Sequence, residues 1–120
     1  MRIITFLIIP VLLGASCTVF SKESCMQEAE WYGHTKTCYE NVSVGSERFK
    51  TGCLNDEFFK IEDHTAKVSH TVIEQCPISY LGVCKSPSLP YNTYYYVNPY
   101  IKETEKSCIA SGGQWLKPKT

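Results

Sequence analysis

The sequence predicts an α+β fold: a small disulfide-stabilised domain in which an antiparallel sheet carries two short helices. Three observations lead there. The 120 residues contain seven cysteines. Six of them, Cys25, Cys38, Cys53, Cys76, Cys84 and Cys108, are spread through the body of the chain and can close into three disulfides. Several short runs alternate apolar and polar residues or are rich in β-branched and aromatic ones, the mark of strands. Two stretches show helical spacing between a capping residue and a glycine.

The chain opens on an export signal. Arg2 gives a positive start, residues 3–14 are apolar apart from Thr5, Pro10 and Gly14, and Gly14-Ala15-Ser16 closes the run with small residues. The run is shorter than the roughly 20 residues a membrane span requires, so the segment is expected to be removed. Leu13 followed by Gly14, Ala15, Ser16 and Cys17 resembles the bacterial lipoprotein signal, in the looser form that spirochaetes and some other bacteria read. Leu13 stands four residues ahead of the cysteine where the usual box has three. The resemblance implies residues 1–16 as signal peptide and Cys17 as the lipidated first residue of a bacterial protein. The other reading is an ordinary signal-peptidase cut between Ala15 and Phe20. Acylation of Cys17, or its removal with the signal, leaves six cysteines for pairing; only a retained, unmodified Cys17 breaks the parity.

Residues 17–24 then form the lipidated cysteine and a short tether, 25–116 a single domain, and 117–120 a frayed tail. A first helix is expected from Lys22 to Tyr32: Ser21 caps it, Cys25, Ala29 and Tyr32 share a face, and Gly33 stops it. Trp31 and Tyr32 read as core or edge packing. Residues 38–44 alternate as a strand, and Gly45-Ser46 turns the chain into a second strand at Glu47–Thr51. Asn41-Val42-Ser43 is formally a glycosylation sequon, read here as an ordinary strand tripeptide. Residues 58–61 fit a strand or a helical turn, 68–76 and 80–84 fit strands, and Ser86-Pro87-Ser88-Leu89-Pro90 is a loop. Tyr94–Val97 is an aromatic strand. The second helix is expected with Asn98 as cap, Pro99 in its first position and Gly112 as left-handed stop. Gln114-Trp115-Leu116 returns as a last strand.

Gly82-x-Cys84, then Tyr94-Tyr95-Tyr96, then Cys108-x-x-x-Gly112-Gly113-x-Trp115 resemble the tail of small cysteine-rich bacterial lipoproteins and secreted proteins of unassigned function. The likeness spans about a third of the chain, Cys76 to Trp115, and implies a location and a folding module rather than a reaction. In such a module the helix packs on the tyrosine strand and Trp115 covers the sheet beside a Cys84–Cys108 disulfide. That pairing is one of fifteen connectivities open to six cysteines.

Composition narrows the function. Twelve basic residues balance twelve acidic ones. Loss of Arg2 with the signal leaves a nearly neutral chain without a basic stripe, which argues against nucleic acid as partner. A domain of this size buries only about 60–70% of its unfolded surface. Three disulfides compensate, and they require an oxidising compartment. No Cys-x-x-Cys pair, phosphate-binding glycine loop or Gly-x-Ser-x-Gly elbow occurs. Glu62-Asp63-His64 with His70 offers metal-ligand types, but an extended chain holds the histidines about 20 Å apart, and the segment reads as a solvated loop. Asn55-Asp56-Glu57 reads as a turn rather than a calcium loop. No cofactor, metal or catalytic residue is assigned. The remaining candidate is aromatic. Tyrosine offers large area at low entropic cost, and Tyr94, Tyr95, Tyr96 and Trp115 form a possible binding surface, with Tyr94 and Tyr96 on one face of the strand and Tyr95 on the other.

Three functional expectations follow. The first is a non-enzymatic, lipid-anchored bacterial envelope protein, held in the membrane through Cys17 and binding an unidentified protein or envelope partner. The second is a freely secreted toxin, inhibitor or effector. The third is a small hydrolase with His64 or His70 beside Asp56, Glu62 or Asp63.

Overall fold

Six strands run β1 (Ser24–Glu30), β2 (His34–Asn41), β3 (Lys67–Ile73), β4 (Gly82–Lys85), β5 (Tyr91–Val97) and β6 (Gln114–Leu116), with helices α1 (Ser46–Leu54) and α2 (Ile101–Ala110) inserted after β2 and β5. The computed structural model describes residues 23–31, 33–55, 61 and 65–118. The expected signal peptide, Cys17 and most of the expected tether lie outside the described residues, as do 56–60 and 62–64. The strands form one antiparallel sheet in the order β3-β1-β2-β5-β4-β6. This is the α+β, disulfide-stabilised architecture expected, with the sheet dominant and two helices upon it.

Two elements differ from expectation. The segment anticipated as the first helix is the strand β1, and Ser24, assigned to the tether, is buried within it. Met26, Gln27, Glu28, Ala29 and Glu30 all favour helix individually. The segment nevertheless lies between β2 and β3 and exchanges main-chain hydrogen bonds with both, so tertiary pairing overrides propensity. Its burial alternates along Cys25, Gln27 and Ala29, a period of two that the helical spacing of Cys25 and Ala29 conceals. Conversely, the strand anticipated at Glu47–Thr51 is α1. Phe49 and Cys53, four apart, are both fully buried on one side of that helix, and Glu47 sits in its first turn where the dipole favours it.

Register assigns the faces. Cys25, Tyr39, Val72 and Thr93 share one face, to which both helices are fastened by Cys25–Cys53 and Cys84–Cys108. Beneath α1, Cys25, Phe49 and Cys53 form the core, with Tyr39, Val44, Val72 and Tyr91 packed around it. The opposite face carries Cys38, whose bond to Cys76 fastens the connection from β3 across the sheet to β4. All six cysteines between 25 and 108 are thus paired, which sets the domain in an oxidising compartment. Among the described residues no helix is long and apolar enough to cross a membrane.

α2 begins two residues later than its capping sequence suggests. Asn98 still organises the entry: its Oδ1 accepts the Tyr100 N–H at 2.7 Å, and its Nδ2 donates to Thr104 Oγ1 at 3.1 Å. Gly112 ends the helix at φ 86°, and the Gly113 N–H donates to the Cys108 carbonyl at 2.9 Å.

A second polar node ties the chain's entry to α1. The Glu23 carboxylate accepts hydrogen bonds from Asn41 Nδ2 and Ser46 Oγ, both at 2.6 Å. Partial burial acts to raise the Glu23 pKa. The hydrogen bonds from Ser46 and Asn41, with help from its own backbone N–H and the charge of Lys50, outweigh burial and hold it below 4.5. A depressed folded-state pKa contributes stability that is present above the unfolded value and lost as pH falls through the folded one. Urea midpoints measured at pH 6 and pH 3 are therefore expected to fall more for the wild type than for Glu23→Gln. Equal falls would remove Glu23 from the acid response.

Candidate functional site

The four aromatic residues singled out in the sequence do not meet on one surface. Tyr95 and Trp115 lie on the helix-bearing face and stack on each other, ring centroids 5.7 Å apart at 25°. Trp115 also lies across Gly82, where a Cβ would enter the indole ring; the glycine is there to admit the tryptophan. Tyr94 and Tyr96 point to the opposite face and hold the connection between β3 and β4. Tyr94 meets Tyr80 edge to face at 5.4 Å, and the Tyr96 hydroxyl donates to the Pro77 carbonyl at 2.7 Å. Burial, reinforced by the neighbouring Glu40, pushes the Tyr94 phenol up to about 12. Burial likewise raises Tyr96, with Tyr94, Glu40 and Tyr80 adding to it. These phenols are therefore neutral hydrogen-bond donors at physiological pH, and their tasks are packing and fastening.

The histidines separate too. His70 lies on the helix-bearing face with Nε2 2.8 Å from Gln27 Oε1. His34 lies on the other face, with Nδ1 2.6 Å from Glu30 Oε2. Asp56, Glu57, Glu62, Asp63 and His64 lie outside the described residues. Among the described residues no cluster of three or more histidine, cysteine or carboxylate side chains is arranged to hold a metal. Asn41 of the formal sequon is buried, and its Nδ2 already donates to Glu23 and to the Val44 carbonyl, so it has no amide free for a glycan.

An apolar surface does form where sequence reading had not sought one. At the end of the sheet where β1 turns into β2, Trp31, Leu81, Val97 and Tyr100 are each at least 40% exposed. Beside them a shallow depression of about 500 Å³ is lined by Gly33, His34, Leu81, Tyr96, Val97, Asn98 and Pro99. Its floor is held by the main chain: the Leu81 N–H donates to the Tyr95 carbonyl at 2.6 Å. Pro99 approaches Gly33, which has φ 116°. The surface draws on three separate segments, so no contiguous motif announces it. It lies at the opposite end of β1 from Ser24, where the chain enters, about 20 Å away along a seven-residue strand.

A second depression, about 370 Å³, lies between α2 and β5 over the Cys84–Cys108 bond. It is walled by Thr93, Tyr95, Glu103, Thr104 and Ser107. Thr104 Oγ1 is already engaged with the Tyr100 carbonyl and Asn98, so the polar wall of this groove is partly self-satisfied.

Comparison of the chain with protein-family models, with curated proteins and with solved structures returns no match.

Proposed function

We propose that this is a non-enzymatic, lipid-anchored protein of a bacterial cell envelope, which contacts an envelope protein through the apolar end formed by Trp31, Leu81, Val97 and Tyr100. The observation that carries the reading is the closed set of disulfides. Cys25–Cys53, Cys38–Cys76 and Cys84–Cys108 engage every cysteine but Cys17, and Cys17 stands at the boundary of the signal. Acylation gives that seventh cysteine a role. Each buried methylene contributes about 0.8 kcal/mol, and more than one acyl chain makes the attachment stable. The chain enters the sheet at Ser24, the end of β1 away from the apolar surface, so an attachment upstream of Ser24 is compatible with a contact at the other end. The spent thiols and the separated His34 and His70 favour a binding or structural role over a catalytic one.

The test is the intact mass of the mature protein from its native host, with membrane fractionation of wild type and Cys17→Ala. Expected are an N-terminus at Cys17 carrying acyl mass, six alkylations that appear only after reduction, and a wild type found in the membrane fraction. Cys17→Ala should lose membrane association and the acyl mass. An unacylated N-terminus beyond Cys17 would overturn the anchor and favour a secreted effector. For the contact surface, a photocrosslinker at position 97 in intact cells should capture an envelope protein that one at exposed Thr51 does not. Equal capture from both positions rejects the apolar end.

A further inference from the structure

β3 is an edge strand of seven residues. It pairs with β1 on one side, and no described strand lies on its other side. Long edges invite pairing with another chain unless a proline, a bulge or an inward-pointing charge blunts them. β3 contains no proline, and its one lysine, Lys67, stands at its first residue and leaves the centre of the edge without one. Its register with β1 runs unbroken from Lys67 to Ile73. Its sequence also reads alike in both directions about His70: Ser69 and Thr71 flank it, and Val68 and Val72 flank those. A two-fold interface needs such self-complementarity, because the same patch supplies both sides.

We infer that the protein forms a two-fold dimer by antiparallel pairing of β3 with β3 of a second copy, with His70 on the axis. In this register Ser69 opposes Thr71 of the second copy on one face, and Val68 opposes Val72 of the second copy on the other. Hydroxyl pairs and β-branched pairs are both favourable directly across an antiparallel ladder. Charge selects the same orientation. Lys67 opens the strand and Glu74 follows its end; both are exposed, and neither forms an ion pair with another described residue. Antiparallel pairing brings the Lys67 end of each copy against the Glu74 end of the other, whereas parallel pairing sets like charges side by side. The contact adds about six to eight main-chain hydrogen bonds. A register that keeps each residue on its own face also keeps both α1 helices on the same side of the joined sheet.

The experiment is sedimentation equilibrium of the mature protein with its disulfides intact, in detergent if acylated, over roughly 1–100 μM. The wild type is expected to show a monomer–dimer equilibrium. S69K/T71K sets lysine opposite lysine at both positions and should weaken the dimer at least about tenfold. Both sites are exposed, so its circular dichroism should be unchanged. S69K/T71E sets opposite charges across the same positions and should restore the dimer, a rescue specific to this register. A wild type that is monomeric throughout, or a dimer indifferent to S69K/T71K, overturns the inference. Amide exchange supplies a readout independent of any variant: protection of residues 67–73 should rise with protein concentration, and exchange there that ignores concentration overturns the pairing. The inference rests on the sheet alone and stands or falls separately from the anchor at Cys17.

Discussion

Phe49→Ala is expected to destabilise the domain by about 3–5 kcal/mol, lowering its thermal midpoint by roughly 15 °C or more. Phe49 is fully buried between α1 and the sheet, where Cys25 and Cys53 complete the cluster and Tyr39, Val44, Val72 and Tyr91 close around it. Deleting the ring removes its transfer free energy and leaves a cavity that the Cys25–Cys53 bond keeps from collapsing. A small domain is stable by only about 5–15 kcal/mol in total, so the loss is a large share of the whole. Phe49→Leu, which keeps most of the volume, should cost less than the alanine variant. Denaturant titration of the three proteins decides the matter. An alanine variant within about 1 kcal/mol of wild type would mean that the core lies elsewhere.

The second large effect is expected from Cys38→Ala/Cys76→Ala. This bond closes the longest of the three disulfide loops, with a sequence separation of 38. The chain-entropy account assigns about 4 kcal/mol to a loop of that length. The connection from β3 to β4 would then be held chiefly by the Tyr80–Tyr94 contact and the Tyr96–Pro77 hydrogen bond. Native-state chymotrypsin cleavage after Tyr80 or Leu81 should therefore rise by more than global destabilisation alone produces. Cys25→Ala/Cys53→Ala, which spares this connection, is the reference. Equal cleavage in the two double variants would show that the Cys38–Cys76 bond has no local fastening role.

Legibility varied from segment to segment for physical reasons. The strands at Tyr94–Val97 and from Val68 onward were readable because β-branched and aromatic residues favour a pleated, half-buried surface; the structure starts the first at Tyr91 and ends the second at Ile73. The end of α2 was readable because Gly112 must adopt positive φ, a local demand that only a few residues meet. β1 was not readable, since its composition favours helix and its strand conformation comes from pairing with β2, across a short turn, and with β3, far along the chain. α1 was missed although Phe49 and Cys53 carried a four-residue spacing, because a nine-residue helix offers little periodicity. Of the aromatic surface, alternation foretold the opposite orientations of Tyr94 and Tyr95. It did not foretell that the connection after β3 would cover one side and Trp115 the other.

The sequence by itself determined an even set of six cysteines within a neutral, mixed-composition domain, and hence an oxidised α+β fold. It also carried the signal-like start and Cys17, because such addresses are local patterns that need no folding to be read. Tertiary structure alone decided the full disulfide pairing, since fifteen connectivities fit the same cysteines and only the approach of distant strands and helices selects one. It likewise decided the apolar end, assembled from three separate segments. The free edge of β3 exists for the same reason: whether a strand lies inside or at the margin of a sheet depends on every other strand.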